Sequence, residues 1–305
     1  MAADLEMRPH GGAPEQAPTL AATGQVARRQ RISRLSRYVL MAASLVGVAV
    51  LIYLAVVTLD QGWARLSWDF VTSYPSRFPE RAGLRSSIIG SIWVVGCTMV
   101  LAIPIAVGTA VFIEEFAPRN TFTSLVKLNI SNLAAVPSII YGILGLTMFV
   151  RYFGLGPSII AGALTLALMI LPMTVIASQE AIRQVPPSVR QGSLALGATK
   201  WQTVWHHVLP GAVPGIMTGV ILAIARAAGE TAALIMIGAF TFIAFDNTSI
   251  FDDFTVVPVQ IYNWTIRPQE AFRVNAAAAI IVLMAAVLTL NLIAAVIRER
   301  FRQQY

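Results

Sequence analysis

Six apolar runs stand out along the chain: Val39 to Thr58, Ile88 to Ile113, Ile130 to Val150, Pro157 to Ser178, Ile216 to Ile237 and Val274 to Ile297. Their apolar residues run on without the 2- or 3.6-residue spacing of a half-buried element, and all but the fifth lack Asp, Glu, Lys and Arg. A helix rises about 1.5 Å per residue, so roughly 20 residues cross a hydrocarbon core of about 30 Å. With no water to bond the backbone there, a helix is the only workable state for such a run. The pattern predicts an all-α integral membrane protein with about six transmembrane helices. Pro104, Pro137 and Pro172 lie well inside the second, third and fourth runs, where each removes a donor and should bend its helix.

The polar segments complete the layout. Residues 1–37 carry Pro9, Pro14 and Pro18 and end in the basic stretch Arg28, Arg29, Arg31, Arg34 and Arg37, which reads as a disordered basic cytoplasmic tail. Residues 38–84 make the first transmembrane helix and an outer loop. The first run is too long for a signal-peptide core and has no small-residue cleavage site after it, so it reads as a retained anchor. Residues 85–297 form the main membrane domain, and 298–305 a short C-terminal tail. With the N-terminus inside, 14 Lys and Arg residues fall in cytoplasmic segments against 7 outside, so both termini are expected in the cytoplasm. No internal repeat or inverted symmetry is evident, which disfavours a carrier built from paired halves.

Composition narrows the class further. Hydrophobic residues make up 56% and charged residues 12%, and the mean hydropathy is +0.70, outside the range of soluble domains. The net charge of +7 falls mostly between the apolar runs, so it reports membrane orientation, and no nucleic-acid partner is implied. The single cysteine, Cys97, excludes a disulfide framework or a cysteine metal site within the chain.

The segment Glu180 to Gly211, between the fourth and fifth runs, is too ordered to be a spacer. Ser188 with Gln191 reads as a capping box, preceded by Pro186 and Pro187; Gly197 can end the resulting helix in the left-handed conformation. Thr199 with Gln202 reads as a second capping box for a helix to about His207, which Pro210 would close. Val189, Leu194, Leu196, Trp201, Val204 and Trp205 would thereby be presented outside the bilayer, a surface that calls for a protein partner. The alternative is an interfacial hairpin with Trp201 and Trp205 among lipid headgroups. His206 and His207 are adjacent and point in different directions, so they do not make a metal pair.

The run Gln191 to Pro210 resembles the cytoplasmic EAA loop of type I ABC importer permeases. The family pattern is E-A-A, three residues, G, nine residues, I, one residue, L-P; Gly197, Leu209 and Pro210 hold the glycine and terminal positions. Gln191 replaces the usual Glu, Gly192 and Ser193 the two alanines, and His207 the Ile. The resemblance implies a MetI-like bundle with a coupling loop at 187–210 that docks on an ATP-hydrolysing subunit. It makes Gln191, Leu194, Gly197, Trp201, Val204, Trp205, Leu209 and Pro210 the coupling residues.

The fifth run holds the charges that matter most. Arg226 and Glu230 are spaced i and i+4, so on one helix they share a face and can neutralise each other where an unpaired charge costs about 3 kcal/mol or more. Either the pair only fixes the helix, or the forked Arg226 guanidinium meets a phosphate anion and Glu230 holds it in place. Gly215, Gly219, Ala223 and Ala227 form a small-residue stripe suited to close helix contact.

The stretch Ala225 to Ile235, A-R-A-A-G-E-T-A-A-L-I, resembles the signature of phosphate permeases of the PstA and PstC kind. Ala135 to Gly142 and Val257 to Trp264 agree, the latter favouring the PstA member. This resemblance covers about Leu84 to Ile297. It implies half of a heteromeric phosphate pathway in the cell inner membrane. The implied partners are a permease of the PstC kind, an ATPase dimer of the PstB kind that binds ATP and Mg, and an extracytoplasmic binding protein of the PstS kind. The chain has no G-x-x-x-x-G-K-[ST] loop, so it is read as a non-catalytic subunit that needs no cofactor of its own. A proton-coupled carrier should show more acidic residues or His within its spans, and only Glu230 is there. A membrane enzyme should gather catalytic acids; the one clustered pair, Glu114 and Glu115, reads as a solvated helix end.

Overall fold

The computed structural model describes residues 24–239 and 242–300, apart from the side chains of Gln25 and Ala27. The expectation of disorder for residues 1–23, and the end of the C-terminal tail at 301–305, lie outside the described residues. Two compact units divide the chain, Met1–Val56 and Val57–Tyr305.

The first unit holds most of α1 (Gly24–Gly62), a single helix of 39 residues. Arg28 to Arg37, expected as part of a disordered tail, is helical. No proline stands between Pro18 and Pro75, and Arg, Gln, Leu and Ala are good helix formers, so nothing stops the anchor helix from extending into its basic flank.

The second unit begins with short elements, of which α2 (Trp68–Thr72) is capped by the Ser67 hydroxyl on the Phe70 amide. α3 (Arg85–Val111) runs on through a π turn at Phe112–Phe116. α4 (Thr121–Ala134) and α5 (Ser138–Gly145) follow, α5 continuing as a π segment to Tyr152. Next come α6 (Ile159–Gln184), α7 (Pro187–Ala195) and α8 (Lys200–Thr203). A π turn at Val204–Val208 leads into α9 (Leu209–Ala228), which precedes α10 (Ala232–Met236), α11 (Val257–Thr265) and α12 (Glu270–Arg300). Among the described residues five helices are long and apolar enough to cross a membrane, and a bent pair makes up to a sixth.

That pair corrects the third predicted span. Ile130 to Val150 is not one helix with a kink: α4 and the segment from Ser138 to Tyr152 meet at 98°. Pro137 supplies no amide and its ring drives Val136 out of the helical region, so the backbone turns there. The Tyr141 hydroxyl donates to the Leu133 carbonyl at 2.9 Å, joining the Val136 amide there at 3.1 Å, and so ties α5 back to the end of α4. Pro104 and Pro172, by contrast, sit inside continuous helices.

The fifth span is corrected at both ends. Helix begins at Lys200 and passes Pro210, which was expected to close the loop, because a proline in the first turn of α9 needs no amide partner and the π turn bonds Leu209 N to the Val204 carbonyl. It ends at Ala228, nine residues before the predicted Ile237.

α6 is the centre of the bundle, packed on α3, α9, α4 and α5. α3 carries a buried stripe of period four, whose Ser86 and Gly90 meet the loop 242–256 and whose Val94, Thr98, Ala102, Ala106 and Ala110 serve the packing on α6. The small-residue stripe of α9 serves the same packing. A Cβ on Gly219 would lie 2.4 Å from that of Ala177, and one on Gly215 2.6 Å from that of Ala181, so only glycine permits this approach of α9 to α6.

At the opposite end of the bundle from α7, the loop 242–256 is tied down by its carboxylates. Asp252 accepts the amides of Thr248 and Ser249 at 2.7 and 2.8 Å, and these bonds hold its carboxyl below the ordinary range. Asp246 takes the Arg85 fork, whose hydrogen bonds lower it in the same way.

Candidate functional site

The loop 187–210 is a helix, a glycine turn and a helix, as its sequence predicts. Gly197 adopts φ +86°, open to glycine and strained for other residues. Its amide bonds the Leu194 carbonyl, and that of Ala198 the Ser193 carbonyl, which satisfies acceptors at the end of α7. The Thr199–Gln202 capping box forms in full. The Ser188–Gln191 box does not: with Pro186 at the cap and Pro187 first in α7, Ser188 already lies inside the helix, where its hydroxyl is out of place for capping. The hydroxyls of Ser193 and Thr203, 2.9 Å apart and buried, pin the two helices together.

This scaffold leaves Leu194, Leu196, Trp201 and Trp205 exposed and Gln191 on the surface. Trp201 and Trp205 stack at 5.9 Å and 13°, and Trp201 also meets Phe116 at 6.1 Å. Lys200 lies over the Phe116 ring. Val204, expected to face a partner, is instead buried, and Val189 and Leu209 pack against the core cluster around Ile182 and Val208. Pro210 is half-buried. The apolar docking surface is therefore narrower than the sequence suggests, centred on two stacked indoles and two leucines.

Beneath it lies a charge network that sequence reasoning missed. Glu114 and Glu115, expected to be solvated, keep only 11% and 9% of their side chains exposed. Glu114 accepts from Lys127 of α4 at 2.9 Å and from Arg183 of α6 at 2.8 Å, while Arg183 also reaches Glu180. Glu115 accepts from both Nε and Nη2 of Arg190 in α7, at 3.0 and 2.7 Å. The same guanidinium donates to the carbonyls of Ile182 and Val185. The signal available in the sequence was the match between two adjacent carboxylates and the basic residues at 127, 183 and 190, but those separations in the chain hide it.

Arg226 and Glu230 are not brought together as a pair. Gly229 ends α9, so the i, i+4 geometry of one continuous helix is lost. The Glu230 carboxylate turns forward to accept the Ala233 amide at 3.2 Å, at the start of α10. No Arg226–Glu230 ion pair forms among the described residues. Arg226 lies in the last turn of α9, on a face left exposed together with Leu222, and its nearest polar contact is the Met173 sulfur at 3.9 Å. Among the described residues no group of His, Cys, Asp and Glu could hold a metal.

A multi-span helical chain with an exposed apolar loop fixed to one end of its bundle has the build of a membrane subunit that works with others. A family model described as binding-protein-dependent transport system inner membrane component matches residues 102–304. The chain belongs to this family, whose members are multi-pass, non-catalytic permease subunits of importers. Among similar proteins is the phosphate transport system permease protein PstA 1 of Mycobacterium tuberculosis (strain ATCC 25618 / H37Rv), 31% identical over 83% of this chain and 83% of that one. The probable ABC transporter permease protein YqgI of Bacillus subtilis (strain 168) is 36% identical over 63% of this chain and 66% of its own length. The fold matches that of a bacterial ABC transporter involved in the import of the acidic polysaccharide alginate, with a TM-score of 0.63 over 92% of this chain and 100% of that one at 16% identity. It also matches the MetNI methionine ABC transporter in an inward-facing conformation, with a TM-score of 0.58 over 70% and 95% at 17% identity.

Proposed function

We propose that this chain is the PstA-like half of an ATP-driven pathway that imports inorganic phosphate, and that Arg226 contacts the anion as it passes. The observation that carries the reading is the Arg226 guanidinium, left exposed near the end of a spanning helix with no carboxylate paired to it among the described residues. A lone charge in a span must face a water-filled path or a protein neighbour, and a planar fork suits phosphate oxygens. The PstA names of several relatives support the substrate. Glu230, bound to the α10 amide, positions the backbone beyond Arg226 rather than the arginine itself.

In this reading the other wall of the pathway comes from a permease of the PstC kind, and a binding protein of the PstS kind delivers phosphate on the outer side. The loop 187–210 and both termini face the cytoplasm, where the exposed Leu194, Trp201 and Trp205 dock on an ATPase dimer of the PstB kind that binds ATP and Mg. Gln191, exposed on α7, offers an amide to the same partner. The test is uptake of radiolabelled phosphate by the complete complex in liposomes. Arg226→Gln should lower uptake roughly 100-fold and Arg226→Lys less, since a point charge replaces a bidentate fork. Unchanged uptake in Arg226→Gln would refute the contact.

A further inference from the structure

We infer that the Glu115–Arg190 pair is a transmission linkage, through which movement of the loop 187–210 is imposed directly on the end of α3. The inference rests on the reading of that loop as the ATPase dock. A loop between two spans would ordinarily pull only on the helices it joins, here α6 and α9. In this chain Arg190, in the first helix of the loop, makes four hydrogen bonds in three directions. Two go to one oxygen of Glu115 in the π turn that ends α3, one to the Ile182 carbonyl and one to the Val185 carbonyl at the end of α6. Adjacent residues on a helix face different neighbours, so Glu114 extends the linkage the other way, to α6 through Arg183 and to α4 through Lys127.

A half-buried, forked, charge-assisted contact is stiff in a way that apolar packing is not. It fixes direction as well as distance, and breaking it leaves a charge without its partner. Ring contacts run alongside it, with Phe116 of the same turn meeting Trp201 and Lys200 of α8. The end of α3 is therefore held to both helices of the loop, by a charge pair to α7 and by rings to α8. Since α3 packs along α6 through its stripe of small residues, a displacement received at Glu115 passes up a helix that lines the centre of the bundle. Glu115 and Arg190 are positioning residues, acting on the pathway through α3.

The experiment uses the complete complex in liposomes and measures phosphate imported and ATP hydrolysed in the same sample. Glu115→Gln leaves the carbonyl bonds of Arg190 intact and removes only the negative charge of the pair. It should lower phosphate imported per ATP roughly tenfold while the complex stays assembled and hydrolysis continues. Arg190→Gln should uncouple at least as strongly, and the double variant should be no worse than Arg190→Gln alone, as two ends of one linkage require. A normal ratio in Glu115→Gln, an additive loss in the double variant, or a parallel fall of both rates with loss of assembled complex would each overturn the inference. Crosslinking separates this from the docking itself: Ala195→Cys, exposed between Leu194 and Leu196, in a Cys97→Ser background should crosslink to the ATPase subunit. No crosslink removes the docking reading and the linkage with it, whereas a crosslink with normal coupling in Glu115→Gln removes the linkage alone.

Discussion

The charges at the loop end of the bundle and the charge near the end of α9 are handled in opposite ways. Glu114, Lys127 and Arg183 form one ion-paired group and Glu115 and Arg190 a second beside it, each charge with a partner of opposite sign within 3 Å. Arg226 has none among the described residues, although a carboxylate stands four residues away in the chain. Burying charge is costly in both places, but only the first region meets that cost within the chain. A saturated network holds helices in place. An open guanidinium is available to something outside the chain, which is what a pathway shared between subunits requires.

The largest expected effect tests whether Arg226 is open. If Arg226 and Glu230 were a hidden pair, neutralising both as Arg226→Gln with Glu230→Gln would restore what the single Arg226 variant loses. The separation seen here predicts no rescue, with phosphate uptake as low in the double variant as in Arg226→Gln. Glu230→Gln alone, which keeps an acceptor for the Ala233 amide, should cost little.

Next in size is the turn between the two loop helices. Gly197→Pro cannot adopt φ +86°, so the exposed indoles lose their fixed spacing and phosphate imported per ATP should fall roughly tenfold at unchanged membrane insertion. Normal coupling would detach the loop from the mechanism.

A smaller loss, in stability, is expected at Glu114. Glu114→Gln strips the network of the carboxylate shared by Lys127 and Arg183 and should destabilise by about 1–3 kcal/mol, toward the lower value because Arg183 is nearly half exposed. The thermal midpoint of the purified complex should drop by roughly 2–4 °C, and no drop would show that the pairing contributes nothing.

The smallest effect is a pH dependence at the loop 242–256. Asp252 and Asp246 have carboxyls held below their ordinary range, the first by the Thr248 and Ser249 amides and the second by Arg85. Their contribution is complete above the unfolded value and is lost as pH falls through the lowered folded values. Hydrogen-exchange protection at the Thr248 and Ser249 amides should therefore be flat near neutrality and fall only in acid. Asp252→Asn should reduce it near neutrality and converge with the parent protein in acid, and equal protection in that variant near neutrality would rule out the carboxylate as the anchor.

The membrane class, the first, second, fourth and sixth spans and the two-helix loop were legible in the sequence because each is a local property. Uninterrupted apolar runs admit only helix in lipid. Gly197 and the Thr199–Gln202 box specify their turn and cap within a few residues. The family motifs around Ala225 to Ile235 and Gln191 to Pro210 are likewise contiguous. Tertiary structure decided what depends on the phase of a helix or on distant segments. Whether Pro137 kinks or breaks a span, whether Pro210 stops a helix or starts one, and whether α9 ends before Glu230 all turn on neighbouring geometry that composition does not encode. Val204 reads as a surface residue until α8 and the π turn set its direction into the core. Glu115 and Arg190 lie 75 residues apart and become one contact only when α3, α6 and α7 converge. Periodicity reports which residues share a face, while pairing between elements depends on the assembled bundle.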